Sequence, residues 1–194
     1  MNENELIKLI LQGERDKFRI FVEKYQKMVF RTCMGFVHNK EDADDLTQEV
    51  FIQAYQSLPD FKMKSTFSTW IYRIAVNASL NKVRRSAGTS FFQRLESFFG
   101  PENQMAGLLT AVDADDPENI IIRQEHSQWL QKALDSLPEN QRTAIVLSKY
   151  DDLSQKEIAE IMNTTEGAVE ALLQRAKKNL REKLSGSVQK KIKK

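Results

Sequence analysis

Apolar residues recur at helical spacing through both ends of this chain, and no segment alternates with period two for long enough to make a strand. The expected fold is therefore all-α. Leu6, Ile7, Ile10 and Leu11 open a first helix, and Phe18, Phe21, Val22, Tyr25, Val29 and Phe36 carry an apolar stripe through a second. Asn39 is placed to cap a third helix beginning KEDADDLTQEVF, whose early acids complement the positive end of the helix dipole. Pro59 ends that helix. After the loop FKMKST, the stretch FSTWIYRIAVNASLNKVRR reads as a fourth, with Phe67, Ile71, Ile74 and Ala78 on a core-facing side. Further on, Trp129, Leu130, Ala133, Leu134 and Leu137 form one helical face before Pro138, and Ala144 to Tyr150 forms another helix.

Between Ser86 and Asn119 the periodicity gives way to Gly, Ser, Pro and acids, the composition of a linker. The chain thus divides into a helical domain at 1–86, an acidic flexible linker at 87–119, a second helical domain at 120–184 and a tail at 185–194. With 194 residues and 41% apolar content, two small cores are within reach. Charge is distributed unevenly over these parts. Lys plus Arg outnumber Asp plus Glu by 14 to 11 in residues 1–86 and by 14 to 10 in 120–194, while the middle carries 1 against 6. Arg175 to Lys194 holds 9 positive charges against the single Glu182, which points to a polyanion as partner. The last ten residues read as a disordered basic tail.

Several function classes fall away. The opening MNENELIKLILQGE has too short an apolar run and too many acids for a signal peptide, and no stretch approaches 18 apolar residues, so the expectation is a cytoplasmic protein without membrane insertion. Cys33 sits in an apolar helical run and is expected to be buried and inert. His38 and His126 are far apart in sequence, and no phosphate-cradling Gly loop or Cys/His cluster accompanies them, which leaves an enzyme little chemistry. The acidic run DADDPEN at Asp113 to Asn119 lacks the central Gly and closing Glu of a calcium loop. No metal or cofactor is expected. In the linker, SFFQRLESFFG places Phe91, Phe92, Leu95, Phe98 and Phe99 on one helical face, suited either to a neighbouring domain or to a partner.

The most specific local pattern is LSQKEIAEIMNTTEGAVEALLQRAKKNL, Leu153 to Leu180, which reads as two helices joined by a tight turn. Ser154 with Glu157 makes a capping box. Ile158, Ile161 and Met162 face inward, and Ala159 lets two helices cross closely. Asn163 tolerates the left-handed conformation that the turn needs. Thr165 caps the second helix, whose Val169, Leu172, Leu173, Ala176 and Leu180 are the buried stripe. Glu166, Glu170, Gln174 and Arg175 are left outward, with Lys177, Lys178 and Arg181 beyond. The pattern reads as a helix-turn-helix, whose second helix normally lies in the DNA major groove, or else as an ordinary helical hairpin; the basic C-terminal run favours DNA.

Three motifs in this order, DADDLTQEVF, FSTWIYRIAVN and the Leu153 to Leu180 pattern, resemble bacterial RNA polymerase sigma factors of the extracytoplasmic-function group, over nearly the whole chain. The resemblance implies a first domain that binds core RNA polymerase and melts the downstream promoter element, and a second that binds the upstream element. It assigns the acidic face of the third helix, Asp42, Asp45, Gln48 and Glu49, to the basic coiled coil of the polymerase clamp. It makes the Phe67 helix a reader of downstream DNA through Arg73 and Asn77, with Lys82, Arg84 and Arg85 suited to phosphates. Trp70 can either pack in the core or touch DNA. The preceding loop resembles one that captures a flipped base, with Phe61 as a stacking wall, Lys62 and Lys64 on phosphates and Ser65 closing the loop. Upstream DNA falls to Thr165, Glu166, Glu170, Gln174, Arg175 and Lys178. An inhibitory anti-sigma factor is implied as a further partner.

The second domain departs from the family pattern. Many members have Gly-Thr-Val-Lys-Ser-Arg where this chain reads Gly167-Ala168-Val169-Glu170-Ala171-Leu172, so the hydroxyl and both basic residues are replaced. The carboxylate of Glu170 repels phosphate but can accept from a cytosine amino group. An altered upstream preference is expected. Residues 87–119 as a free coil would span roughly 30–35 Å, against about 70 Å for two turns of DNA, so polymerase is expected to set the spacing and thread the acidic linker. The alternative function is a two-domain regulator that binds an operator unaided, which leaves the acidic helix and the Phe61 loop without a task.

Overall fold

The computed structural model describes residues 2–99 and 129–192, with side chains placed for residues 2–86 and 129–184. Every regular element among them is helical. The first unit consists of α1 (Glu3–Leu11), α2 (Phe18–Val37), α3 (Lys40–Ser57) and α4 (Phe67–Phe99), with 3-10 turns at Arg15–Lys17 and Leu58–Asp60. The second contains α5 (residues 129–135), α6 (Glu139–Lys149), α7 (Gln155–Met162) and α8 (Glu166–Ile192).

The chain turns where its caps dictate. His38 ends α2 in the left-handed region at φ 56°, its amide donating back to the Met34 carbonyl at 3.0 Å. Asn39 then starts α3, its side-chain oxygen accepting the Asp42 amide at 3.0 Å, as the sequence suggested. The tight link places α2 and α3 side by side, and α4 packs on both. Their shared core is built on Phe21, Val29, Leu46, Val50, Ile71 and Ala75. Phe67, the first residue of α4, anchors it by stacking on Phe21 with ring centroids 4.0 Å apart. α1 is held by its buried Leu6, Ile7 and Ile10 and by the Tyr25 hydroxyl, which donates to Glu3. Cys33 is wholly buried, and desolvation pushes its thiol up to about 11, so it stays a protonated core residue.

Two expectations need correction. α4 passes Ser86 without interruption and continues to Phe99, because no Pro falls between Ser86 and Pro101, the single Gly88 weakens a helix without ending it, and the FFQRLESFF run keeps helical spacing. The side chains of that run, the rest of the linker and the DADDPEN segment lie outside the described residues. On α5, Ala133 and Leu134 are buried, as is Leu137 just beyond, but Leu130 points to solvent.

The two units are not beads on a string. The core of the second, Val146, Leu147, Ile158, Val169, Leu173 and Ala176, is continuous with Phe36, Tyr72 and Val76 of the first. Gly35 makes this approach possible: a Cβ there would lie 2.7 Å from Val146 Cγ1 and 3.2 Å from Tyr150 Cγ. Arg142 enters the contact from α6. Its guanidinium donates to the Phe36 carbonyl at the last turn of α2, lies over the Phe36 ring and pairs with Asp135 at 2.6 Å.

Asp151, in the loop after α6, is buried against α2, and the Thr32 hydroxyl donates to it at 2.8 Å. Burial is the main reason its carboxyl is pushed up to about 6, and the Thr32 hydrogen bond and the exposed Arg31 guanidinium 3.7 Å away offset this only in part. Asp152 adds to the rise, and the neighbouring Tyr72 phenol is itself raised by burial and by Asp151. The folded pKa lies above the unfolded value of 3.8, so this group adds stability as pH falls from about 6 toward 3.8, and that contribution is lost as pH rises through 6. Asp151→Asn should therefore stabilise the protein at pH 7.5 and lose that advantage progressively as pH falls from about 6 toward 3.8. Thermal melts of both proteins across this range check it; parallel curves would refute it.

Candidate polymerase and nucleic-acid interfaces

The helix-turn-helix forms from its own caps. Ser154 and Glu157 make the capping box, with the Ser154 amide donating to Glu157 at 2.9 Å, and this bonding holds the Glu157 carboxyl below its ordinary range. Asn163 takes the left-handed turn at φ 51°, and the Thr164 amide reaches back to the Ala159 carbonyl at 2.9 Å. The Thr165 hydroxyl then accepts the Ala168 amide at 3.2 Å and opens α8. Ile158, Ile161, Val169, Leu173 and Ala176 lock the two helices together. Thr165, Glu166, Glu170, Gln174, Arg175 and Lys178 are all exposed on α8 and the turn before it. A Cβ at Gly167 would meet open space. Within this surface Gln174 donates to Glu170 at 3.2 Å, and Lys178 stands 4.0 Å from Glu182. The Glu170 carboxylate is thereby held by a neighbour one turn on.

The downstream surface is more divided than the sequence implied. Lys62 and Lys64 are exposed and Ser65 half-buried, in a loop turned by Met63 at φ 53°. Phe61 is inside: its ring lies 4.8 Å from that of Trp70 and 6.2 Å, edge-on, from that of Phe67. Trp70 is half-buried in the same cluster, 5.4 Å from Phe67. Thr66, which sequence inspection passed over, caps α4 by accepting the Thr69 amide at 3.2 Å. Asn77 is exposed at the rim of a hollow of about 400 Å³ that it shares with Arg73, Asn140, Thr143 and Asn163.

The basic residues of α4 have protein partners. Arg73 donates from Nη2 to the Glu160 carbonyl at 2.7 Å and from Nε to the Ile161 carbonyl at 3.2 Å, both in the last turn of α7. Arg84 faces Glu139 of α6, Nε to Oε1 at 2.6 Å, and this contact holds the Glu139 carboxyl below its ordinary range. Lys82 pairs with Asp42 at 2.7 Å, joining a residue expected on DNA to one expected on polymerase. Arg85 is exposed.

On α3, Asp45, Gln48 and Glu49 are exposed and Asp42 half-buried, while Ala43, Leu46, Val50 and Ala54 fill the opposite face. Ile52 and Tyr55 extend the outer face with exposed apolar surface, Ile52 at 58%. These two were missed, although the signal was there: they fall four and seven residues after Gln48, off the buried stripe. Arg142 was missed as well. Its clue is that it precedes Ile145 and Val146 by three and four residues, which puts a charge on the apolar face of α6.

Among known proteins, the family model for sigma-70 region 2 matches residues 21–89, and that for sigma-70 region 4 matches residues 127–180. The chain is 32% identical over 178 residues to the ECF RNA polymerase sigma factor SigW of Bacillus subtilis, covering 92% of this chain and 94% of that protein. It is 31% identical to the ECF RNA polymerase sigma-E factor of Escherichia coli K12, covering 95% of each. Two solved structures share its fold. CnrH in complex with the cytosolic domain of CnrY superposes with TM-score 0.60 at 21% identity, covering 93% of this chain and 96% of that one. The sigma factor RpoE in complex with the anti-sigma factor NepR from Bartonella quintana gives TM-score 0.55 at 21% identity, covering 87% and 96%. A solitary operator-binding regulator accounts for the helix-turn-helix but not for a region 2 match ahead of it. With both regions present in order, and relatives that match along nine-tenths of its length, the chain belongs to the extracytoplasmic-function group of the sigma-70 family, the transcription initiation factors of bacterial RNA polymerase.

Proposed function

We propose a residue-level division of labour for this sigma factor, acting in the cytoplasm. The exposed face of α3, with Asp45, Gln48 and Glu49 at its centre and Asp42 at its edge, grips a basic surface of core polymerase. Ile52 and Tyr55 add an apolar contact next to those charges. The downstream promoter element is addressed by α4 through Arg73, Asn77, Lys82, Arg84 and Arg85, and by the loop before it through Lys62, Lys64 and Ser65. Phe61 and Trp70 support that loop from within the core, and a flipped base stacks on them only if the loop opens. The upstream element is read by Thr165, Glu166, Glu170 and Gln174, with Arg175 and Lys178 on phosphates. The similar fold of a sigma factor solved in complex with an anti-sigma factor supports an inhibitory protein as a further partner.

The observation that carries this reading is the helix-turn-helix itself, because its outward residues are all exposed while Val169, Leu173 and Ala176 are buried, leaving the outer face of α8 free to enter a major groove. Opposite charge serves the other contact. A carboxylate face on a domain with excess positive charge attracts a basic partner and is repelled by DNA.

Three measurements test the assignments. Asp45→Asn with Glu49→Gln should weaken association with core polymerase by about tenfold, mainly by slowing it, and should flatten its salt dependence. Unchanged association would remove α3 from the interface. Arg175→Ala and Lys178→Ala should each lower upstream binding equally on all sequences and reduce the salt slope by about 1. Selection of bound DNA from a random pool by the holoenzyme should return an upstream element unlike the common family one, since Ala168, Glu170 and Leu172 replace a hydroxyl and two basic residues. Recovery of the common element would count against Glu170 as a reader.

A further inference from the structure

α8 carries its charge in two blocks. Glu166 to Gln174 holds two carboxylates, Glu166 and Glu170, and no base, whereas Arg175 to Lys194 holds 9 positive charges against Glu182 alone. In a major groove the carboxylates of the first block are repelled by the phosphates on either side, and the partial positive charge at the helix N-terminus offsets this in the first turn only. Attraction has to come from the second block. The preference of cations for the C-terminal end of a helix does not account for that block, since the effect is confined to the last turn and these bases begin at Arg175, about five turns before Ile192. Nor do they serve the core. Ala176 is the last buried residue of α8 among the described side chains, Asn179 makes a side contact by donating to Gln141 at 2.8 Å, and Lys177, Lys178, Arg181 and Lys183 are exposed. The region 4 match ends at residue 180, so α8 runs on past the domain to Ile192.

Length decides where the second block goes. At about 1.5 Å per residue the stretch from Glu166 to Gln174 covers about 13 Å, close to the ~12 Å width of a major groove, so Arg175 stands at the phosphate strand that borders it. From there to Ile192 the helix reaches roughly 27 Å further. We propose that this part of α8 is a phosphate-binding arm: Arg181, Lys183, Lys190 and Lys191 bind duplex backbone outside the upstream element, without regard to base sequence, and supply the attraction that the acidic first half of the helix lacks. This rests on the reading of α8 as the upstream helix given above. Ser185-Gly186-Ser187 gives the arm a place to bend toward the backbone, because Gly and Ser pairs are where helices yield. The Lys178 to Glu182 pair does not hold the arm back, since an exposed pair at 4.0 Å is readily exchanged for phosphate.

A full chain carrying Arg181→Gln, Lys183→Gln, Lys190→Gln and Lys191→Gln removes these charges beyond the last buried residue and leaves the helix-turn-helix intact. Holoenzymes with this variant and with the wild type are compared on two duplexes, one limited to the upstream element and one extended by a helical turn on each side, by competition against a labelled promoter at several salt concentrations. On the extended duplex the variant should bind at least about tenfold more weakly at low salt, and its log-log salt slope should fall by about 0.9 for each charge engaged. On the limited duplex the two should bind alike, and both should select the same upstream element from a random pool. A slope on the extended duplex that changes by less than about 0.9 sinks the arm. Equal loss on both duplexes overturns it as well, by placing the charges inside the element. So does weaker association with core polymerase at unchanged DNA binding, which would make the arm's partner a protein. The reading of α8 fails separately, if the wild-type holoenzyme selects no upstream element at all.

Discussion

Two arginines hold the two halves of this protein in register. Each lies on one domain and hydrogen-bonds carbonyls in the final turn of a helix in the other, Arg73 at α7 and Arg142 at α2. The end of a helix leaves carbonyls without partners inside the helix, and it carries partial negative charge, so a guanidinium is both a donor and a countercharge there. The apolar contact of Phe36, Tyr72 and Val76 with the second core brings the domains together but has little directionality. The arginines supply the direction. Remove them, and the same oily surfaces could meet at many angles.

The arrangement also explains why so many expected contacts to DNA are found engaged elsewhere. Lys82 turns to Asp42, Arg84 to Glu139 and Arg73 to the α7 carbonyls. Of these, the exposed pairs are worth little individually, because water screens them and long side chains lose freedom in making them. They are therefore easily exchanged for phosphate. Arg73, partly buried and bonded twice, is the more committed of the three. A surface of this kind is held by many weak contacts and a few directional ones.

The acidic face of α3 and the outward face of α8 point to different partners because of what lies behind them. Each helix buries one stripe, Leu46 and Val50 in one case and Val169 and Leu173 in the other, and the face left over is whatever the sequence placed opposite. On α3 that remainder is carboxylates followed by Ile52 and Tyr55. On α8 it is a mixture of carboxylate, amide and base. Asp151 belongs to neither face. Its burial against Thr32 lies in the seam between domains, where an ionised carboxylate is least at ease.

Much of this was legible in the amino-acid order alone. Helical periodicity decided the all-α class, and local chemistry placed the boundaries: Asn39 starts α3, Ser154 with Glu157 starts α7, and Asn163 makes the turn before α8. Such features act over four or five residues, so neighbours in sequence suffice to specify them. The fate of Phe61, Arg73, Arg84, Arg142 and Asp151 was not legible in that way. Each acquires its role from a group far along the chain, such as Arg142 from Phe36 or Asp151 from Thr32, and only the packing of one domain on the other brings those groups within hydrogen-bond reach. Periodicity names the face a residue lies on; tertiary contact decides what that face meets.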